Sequence, residues 1–257
     1  MDIKEVLEYS YKELSPYSDR QRWEFKNNLK NLEFFVKYVP VGSTVLDIGC
    51  GLGISMLALA KLGYKVTGLD KYIFQPDNYL SVKENGLENL SKIWQKNNVS
   101  ILDEDVFNFI SREKYDCVMN IAVLEHQRAP KKFIDSCLLN LKPGGLFFCV
   151  VPNLVDLLNR CRVLCGRSAC RELKPFFEQG DNFVGHWREY TLKELAQMAE
   201  WSGLEVVRAK NSRTSPLFNG KDKFPRNIFL ATFRILSDLV PGAGDTNAIV
   251  ARYKDNK

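Results

Sequence analysis

Only two histidines occur in the 257 residues, and one of them directly follows a glutamate. The pair is Glu125-His126; the other imidazole, His186, lies far downstream in GHWREYT. An unperturbed imidazole, with a pKa of about 6.5, can take a proton from a hydroxyl at neutral pH, which makes His126 and His186 candidate general bases. A second set surrounds Thr44 to Gly53, TVLDIGCGLG, where Gly49, Gly51 and Gly53 alternate with Cys50 and Leu52. Positions without a Cβ can adopt φ > 0 and leave their N–H groups open beside the positive end of the next helix, where a small polar ligand sits. The dinucleotide pattern G-x-G-x-x-G would need glycine where this chain has Ile54, which weakens a pyrophosphate reading. Asp47, just before the loop, would repel a pyrophosphate and favour an ammonium or sulfonium. Asp70, at the end of the next apolar run, can accept both hydroxyls of a ribose. A ribose joined to a cationic amino-acid tail describes S-adenosylmethionine.

These residues need rigid carriers. Thr44–Ile48 reads as a buried parallel strand turning into a helix over 54–62, and Lys65–Leu69 as the strand that delivers Asp70 and Lys71. Further strands are expected over 99–102, 115–121, 146–151, 204–209 and 248–253. Strand 115–121 carries Asn120 to the sheet's carboxyl edge, where open α/β sheets bind ligands, and Glu125 and His126 follow. Helices are expected over 130–141 and after Thr191, whose Glu194 partner completes a capping box. Lys142-Pro143-Gly144-Gly145 reads as the turn between the first of these helices and strand 146–151.

VLDIGCGLG, VTGLD, ILDEDVF, YDCVMNIAVLEH, LKPGGLFFCVVPN and HWREYTLKELAQMAEWSGLEVV follow one another from Val45 to Val207. In that order they resemble the class I S-adenosylmethionine-dependent methyltransferases. The resemblance implies one Rossmann-like α/β domain, a doubly wound, mostly parallel seven-stranded sheet with an antiparallel last strand. It also implies S-adenosylmethionine held by Asp47, Gly49, Cys50, Gly51, Gly53, Asp70, Lys71, Asp105, Val106, Asn120 and Glu125. By position in that pattern Asp105 takes the adenine amine and Val106 supplies backbone, while His186 falls on the acceptor side. Methyl transfer from a sulfonium is an in-line displacement, so the protein mainly aligns the nucleophile and removes its proton. The L-E-H triplet is similar to that of ubiquinone-type O-methyltransferases and small-RNA 2′-O-methyltransferases, which carry E-x-x-E-H around a divalent metal. Here Ala122 stands at the first acid. The expectation is therefore no metal, although Glu125, His126 and His186 still offer three ligands.

Residues 1–43 are expected to form a helical cover, with Tyr11, Tyr17 or Trp23 either closing over the cleft or packing as core. Residues 154–185, too long for a plain connection, read as an insertion, which the resemblance implies forms the substrate lid. Residues 210–247 read as a second insertion whose apolar helix over 228–240 either packs on the domain or meets lipid. Residues 1–150 are charge-balanced, so the net charge of +5 lies in the half with both insertions. That bias suits an anionic or lipid-linked small-molecule acceptor. The basic tails and aromatic-basic interleaving of a nucleic-acid binder are missing. Seven cysteines, several in expected core elements, argue against a disulfide framework, and Cys161, Cys165 and Cys170 match no usual zinc spacing. With no secretion signal or spanning segment in the pattern, the cytoplasm is expected. The expected activity is methyl transfer to a small molecule, and a resemblance to enzymes that decorate surface sugars or lipid-linked precursors implies a hydroxyl of a sugar or lipid-linked intermediate as the acceptor. The alternatives are a metal-assisted phenol O-methyltransferase and a cofactor-binding protein without turnover.

Overall fold

The computed structural model describes residues 2–18, 21–71, 82, 86–170, 172–214 and 226–254. Expectations for Arg171, Lys221 and Lys223, and for the side chains of Trp23, Arg226 and Phe229, lie outside what is described. Strand β1, Thr44–Ile48, sits between β2, Lys65–Leu69, and β4, Tyr115–Ile121, and pairs in parallel with both. Strand β3, Ser100–Leu102, extends the parallel sheet beyond β2, and β5, Leu141–Pro152, extends it beyond β4. Strands β6, Leu204–Ser212, and β7, Thr246–Tyr253, close it antiparallel, in the order β3-β2-β1-β4-β5-β7-β6.

Both faces are covered, which is why the central strands read as near-continuous apolar runs. On one face Val45, Cys117, Met119 and Phe148 pack against α1 (Ile3–Leu14), α2 (Gln21–Phe35), α3 (Ile54–Lys61) and α4 (Gly86–Lys96). On the other, Leu46, Ile48, Val118 and Phe147 meet α5 (Pro130–Leu138) and α8 (Leu192–Trp201). Phe35 packs edge-on against Phe148, centroids 5.1 Å apart, and so fixes α2 against the sheet. Tyr11 and Tyr17 also join this core rather than standing over the cleft.

The main boundary differences from the sequence reading fall at α5, β5, β6 and β7. Helix α5 stops at Leu138, and the Lys142–Gly145 stretch belongs to β5: Leu141 already pairs with Tyr115, and the turn chemistry is absorbed as an irregularity in that pairing. Strands β6 and β7 run further toward the cleft because the Asn211 amide donates to the Gly244 and Thr246 carbonyls and holds the pair together there. The first insertion contains α6 (Leu157–Leu164) and α7 (Leu173–Gln179), and the second contains α9 (Arg226–Leu239). Arg160 on α6 donates to the carbonyls of Pro241 and Gly242, and Arg213 makes a forked pair with Asp238, so both insertions are pinned to the β7 end of the sheet. Among the described residues no helix is long and apolar enough to cross a membrane.

Candidate active site

The carboxyl ends of β1, β2, β4 and β5 open into one cavity of about 1120 Å³. Small-molecule pockets usually span about 300–1,000 Å³, so a cofactor and an acceptor fit side by side. At its β1–β2 side lie Asp47, Gly49, Cys50, Gly51, Asp70, Lys71, Asp105 and Val106. The loop is built around positive φ: Gly49 is at +72°, where a Cβ would come within 2.4 Å of Val123, and Gly53 at +85° caps α3. Asp70 is 4% exposed and accepts the Gly51 N–H at 3.0 Å, tying this acid to the loop. Asp105 accepts the Phe107 N–H at 3.0 Å and the Lys71 ammonium at 2.9 Å. Burial works against its charge, but these donors hold its pKa below the ordinary carboxylate value.

Four of the sequence-selected residues, Gly53, Asn120, Glu125 and His186, do not line the cavity. Gly53 acts through the helix start, and Asn120 is fully buried, donating to the Phe148 carbonyl and accepting the Cys149 thiol. Glu125 lies beneath the wall. Its carbonyl accepts the N–H groups of Trp187 and Arg188, and this backbone pairing brings His186 beside it from a distant part of the chain.

The result brings together the three residues that the sequence reading offers as ligands. Ligand atoms of Glu125, His126 and His186 lie within 4.8 Å of one another, and the two imidazoles meet edge to face with centroids 4.8 Å apart. Glu125 is fully buried, and both its carboxylate oxygens lack a hydrogen-bond partner. Burial pushes its pKa up to about 7, an effect the neighbouring His186 only partly offsets. The His126 Nδ1–H donates to the carbonyls of Val184 at 2.9 Å and Gly185 at 3.1 Å. Carbonyls can only accept, so the proton sits on Nδ1 and the Nε2 lone pair is left available. Burial and the adjacent His186 hold His126 below the ordinary histidine pKa. His186 shares its Nδ1 with the Glu189 carboxylate at 2.9 Å. Burial opposes its charge, yet Glu189, Glu125 and Glu172 together raise its pKa.

The donor set passes the chemical test for a divalent cation. An orphaned buried carboxylate stands beside two imidazoles whose outer nitrogens are already engaged, and metal-binding histidines characteristically donate their other N–H to a carbonyl or carboxylate. Ala122, at the cleft wall, has φ +58°, a strained value for a residue with a Cβ. Phe183, Phe176 and Trp187 form an aromatic trio with centroid separations of 5.5 to 5.6 Å, and Arg128 stacks on Trp187 at 4.3 Å. That trio fastens the first insertion over the cluster, and Asp181, Asn182, Phe183 and Val184 form part of the cleft wall. Asn28, Asn31, Thr214, Asp245 and Thr246 also line the cavity and were not singled out from sequence. Three asparagines within one helix, at 27, 28 and 31, were the available signal for the first of these groups.

A family model described as a methyltransferase domain matches residues 20–209. The ubiquinone biosynthesis O-methyltransferase of Coxiella burnetii is 31% identical over 224 residues, covering 82% of this chain and 88% of that protein. Its mitochondrial namesake in Dictyostelium discoideum is 34% identical over 184 residues, covering 68% of this chain and 54% of that protein. Among solved structures, a Haloferax volcanii putative methyltransferase in complex with the activator Trm112 aligns with a TM-score of 0.63 at 15% identity, over 96% of this chain and 98% of that one. A Burkholderia thailandensis N1-methyltransferase bound to S-adenosylhomocysteine aligns at 0.58 and 15% identity, over 92% and 83%. With the sheet order, the glycine loop and its two acids in place, this chain belongs to the methyltransferase-domain family, the class I S-adenosylmethionine-dependent methyltransferases.

Proposed function

We propose that the chain transfers the methyl group of S-adenosylmethionine to a hydroxyl oxygen of a small molecule, with Glu125, His126 and His186 as the acceptor-side centre. The observation that carries this reading is the fully buried, unpartnered Glu125 carboxylate within 4.8 Å of both imidazoles. The Glu125 carboxylate and the Nε2 atoms of His126 and His186 would hold a divalent cation, which when bound supplies Lewis-acid polarisation of the acceptor hydroxyl. This replaces the metal-free expectation as the favoured reading, because three ligands with a supporting outer shell offset the missing acid at Ala122.

The chain's own residues do the remaining work. Asp47 faces the cofactor's cationic tail and Asp70 its ribose, which sets the sulfonium beside the cluster. Val184, Gly185 and Glu189 engage the two Nδ1 atoms, which leaves each Nε2 as the ring nitrogen for a ligand. Phe183 and Trp187 exclude water from the reacting centre, where alignment of nucleophile and methyl supplies most of the acceleration.

For the acceptor, a sugar on a lipid-linked intermediate is the reading we favour. Leu164, Leu173 and Phe177 are 87%, 73% and 83% exposed on α6 and α7, and this apolar surface lies in the basic half of the chain. Such a surface suits peripheral contact with a bilayer that presents the acceptor. The names of the 31–34% identical relatives favour a second reading, a phenol of a quinone precursor. Purified protein with methyl-labelled S-adenosylmethionine and host extract, with and without a chelator, tests both. Transfer lost on chelation and restored by magnesium or manganese is expected, with the label entering the organic phase. Transfer indifferent to chelator would return His126 and His186 to metal-free base catalysis.

A further inference from the structure

Sheet order places two groups of cleft residues at opposite sides of β1 and β4: Asp70 and Asp105 at the β2–β3 side, and Thr214, Asp245 and Thr246 at the β7–β6 side. The second side has no cofactor residue assigned to it, and it is built rather than incidental. One carboxylate oxygen of Asp245 accepts the Thr214 N–H at 2.8 Å, the Thr214 hydroxyl at 3.2 Å and the Thr246 hydroxyl at 3.0 Å. The two hydroxyls are 2.8 Å apart. Helix α2 packs alongside: the Lys210 ammonium of β6 lies over the Phe34 ring at 5.4 Å. This helix turns Asn28 and Asn31 into the same cleft.

Asparagine is a poor helix former because its amide competes with the backbone, and three in one helix interior weaken it. Asn31 meets part of that demand by donating to the Asn27 carbonyl at 3.3 Å. Asn28 does not. Its residue is only 8% exposed, it lines the cavity, and its carboxamide has no hydrogen-bond partner among the described residues. A carboxamide so placed is kept for a ligand that satisfies it.

We infer that Asn28, Thr214, Asp245 and Thr246 form the acceptor-specificity subsite and that it takes a polyhydroxylated, sugar-like ring. This rests on the methyl-transfer reading above and names the substrate class within it. A ring hydroxyl is both donor and acceptor, and so are a threonine hydroxyl and a carboxamide, whereas Asp245 is a fixed acceptor oriented by its threonines. A flat apolar ring would leave the Asn28 carboxamide unsatisfied. A site built to hydrogen-bond hydroxyls discriminates steeply against analogues that lack them.

Saturation-transfer NMR on the chain loaded with S-adenosylhomocysteine tests this without requiring turnover, using a methyl hexopyranoside and catechol as matched probes. The pyranoside signal is expected in the parent chain and is expected to fall at least fivefold in Asn28→Ala and in Thr214→Val, with S-adenosylhomocysteine affinity unchanged. Alanine is the better helix former, so Asn28→Ala does not lose the signal through unfolding. A catechol signal without a pyranoside signal, or a pyranoside signal that survives both variants, overturns the inference. So does an equal loss of S-adenosylhomocysteine affinity, which would assign Asn28 to the cofactor. A chain that passes this test yet methylates nothing sinks the transfer reading and leaves the subsite standing.

Discussion

The two sides of the cleft treat their carboxylates in opposite ways. At the β2–β3 side Asp70 and Asp105 are each engaged by backbone N–H groups, and Asp105 by Lys71 as well. At the β4 exit Glu125 is more deeply buried and has no partner for either oxygen. Desolvating a carboxylate without a compensating donor is costly, so the fold gives up stability at the second place and not at the first. The difference separates a surface prepared for a ligand that brings its own donors from one prepared for a positive charge.

Removing the unpaired charge breaks the contrast most strongly. Glu125→Gln should cut methyl transfer at least a hundredfold while raising the melting temperature of the metal-free chain at pH 8, because the buried charge disappears. Paired turnover and thermal melts check it, and loss of both activity and stability would show that Glu125 is a packing residue. On the prepared side, Asp70→Ala should weaken cofactor binding by about 1.5–3 kcal/mol, the value of hydrogen bonds to a charged group. Calorimetric titration with S-adenosylhomocysteine measures it, and unchanged affinity would contradict the ribose assignment.

Ala122→Glu sharpens the contrast instead. It places an acid at the first position of the E-x-x-E-H pattern and should tighten manganese binding about tenfold by equilibrium dialysis. The smallest effect is expected away from the cleft. Asp116 takes both the N–H and the hydroxyl of Thr44 and pairs with Lys142; burial opposes its charge, yet these donors bring its pKa from 3.8 to about 2. A folded pKa below the unfolded one contributes stability above pH 3.8 that is lost as pH falls toward 2. Because its side chain is 40% exposed, Asp116→Asn should cost under about 1 kcal/mol at pH 7. The gap between parent and variant in urea melts should close between pH 4 and 2.

What the sequence made legible follows from range. The bounds of β1, β2 and β4 are local: buried apolar runs ended by a glycine turn or an acid announce themselves, as does the Thr191–Glu194 capping box. The cofactor side shares that property, since its acids stand at strand ends and its glycines in one decapeptide. The acceptor side does not. His186 reaches Glu125 only through a backbone pairing across the first insertion, and Asn28 comes to share a cavity with Thr214 and Asp245 only once α2 has packed on the sheet. Nothing in the pattern of a single helix marks one asparagine as unpaired. Asn120 and Glu125 were assigned to the cofactor from their place after a strand, yet pleat and burial send both side chains away from the cavity.

The two carbonyls that hold the His126 ring belong to Val184 and Gly185, within the first insertion. The first insertion and the cluster of Glu125, His126 and His186 are therefore not separable modules. An insertion grafted from a relative would carry its own carbonyl positions, and it would retune the His126 imidazole that those carbonyls hold. Exchange of acceptor range by lid swapping should succeed only when the segment from Val184 to Glu189 travels with the residues that follow β4, so that recombination and drift in one are bound to the other.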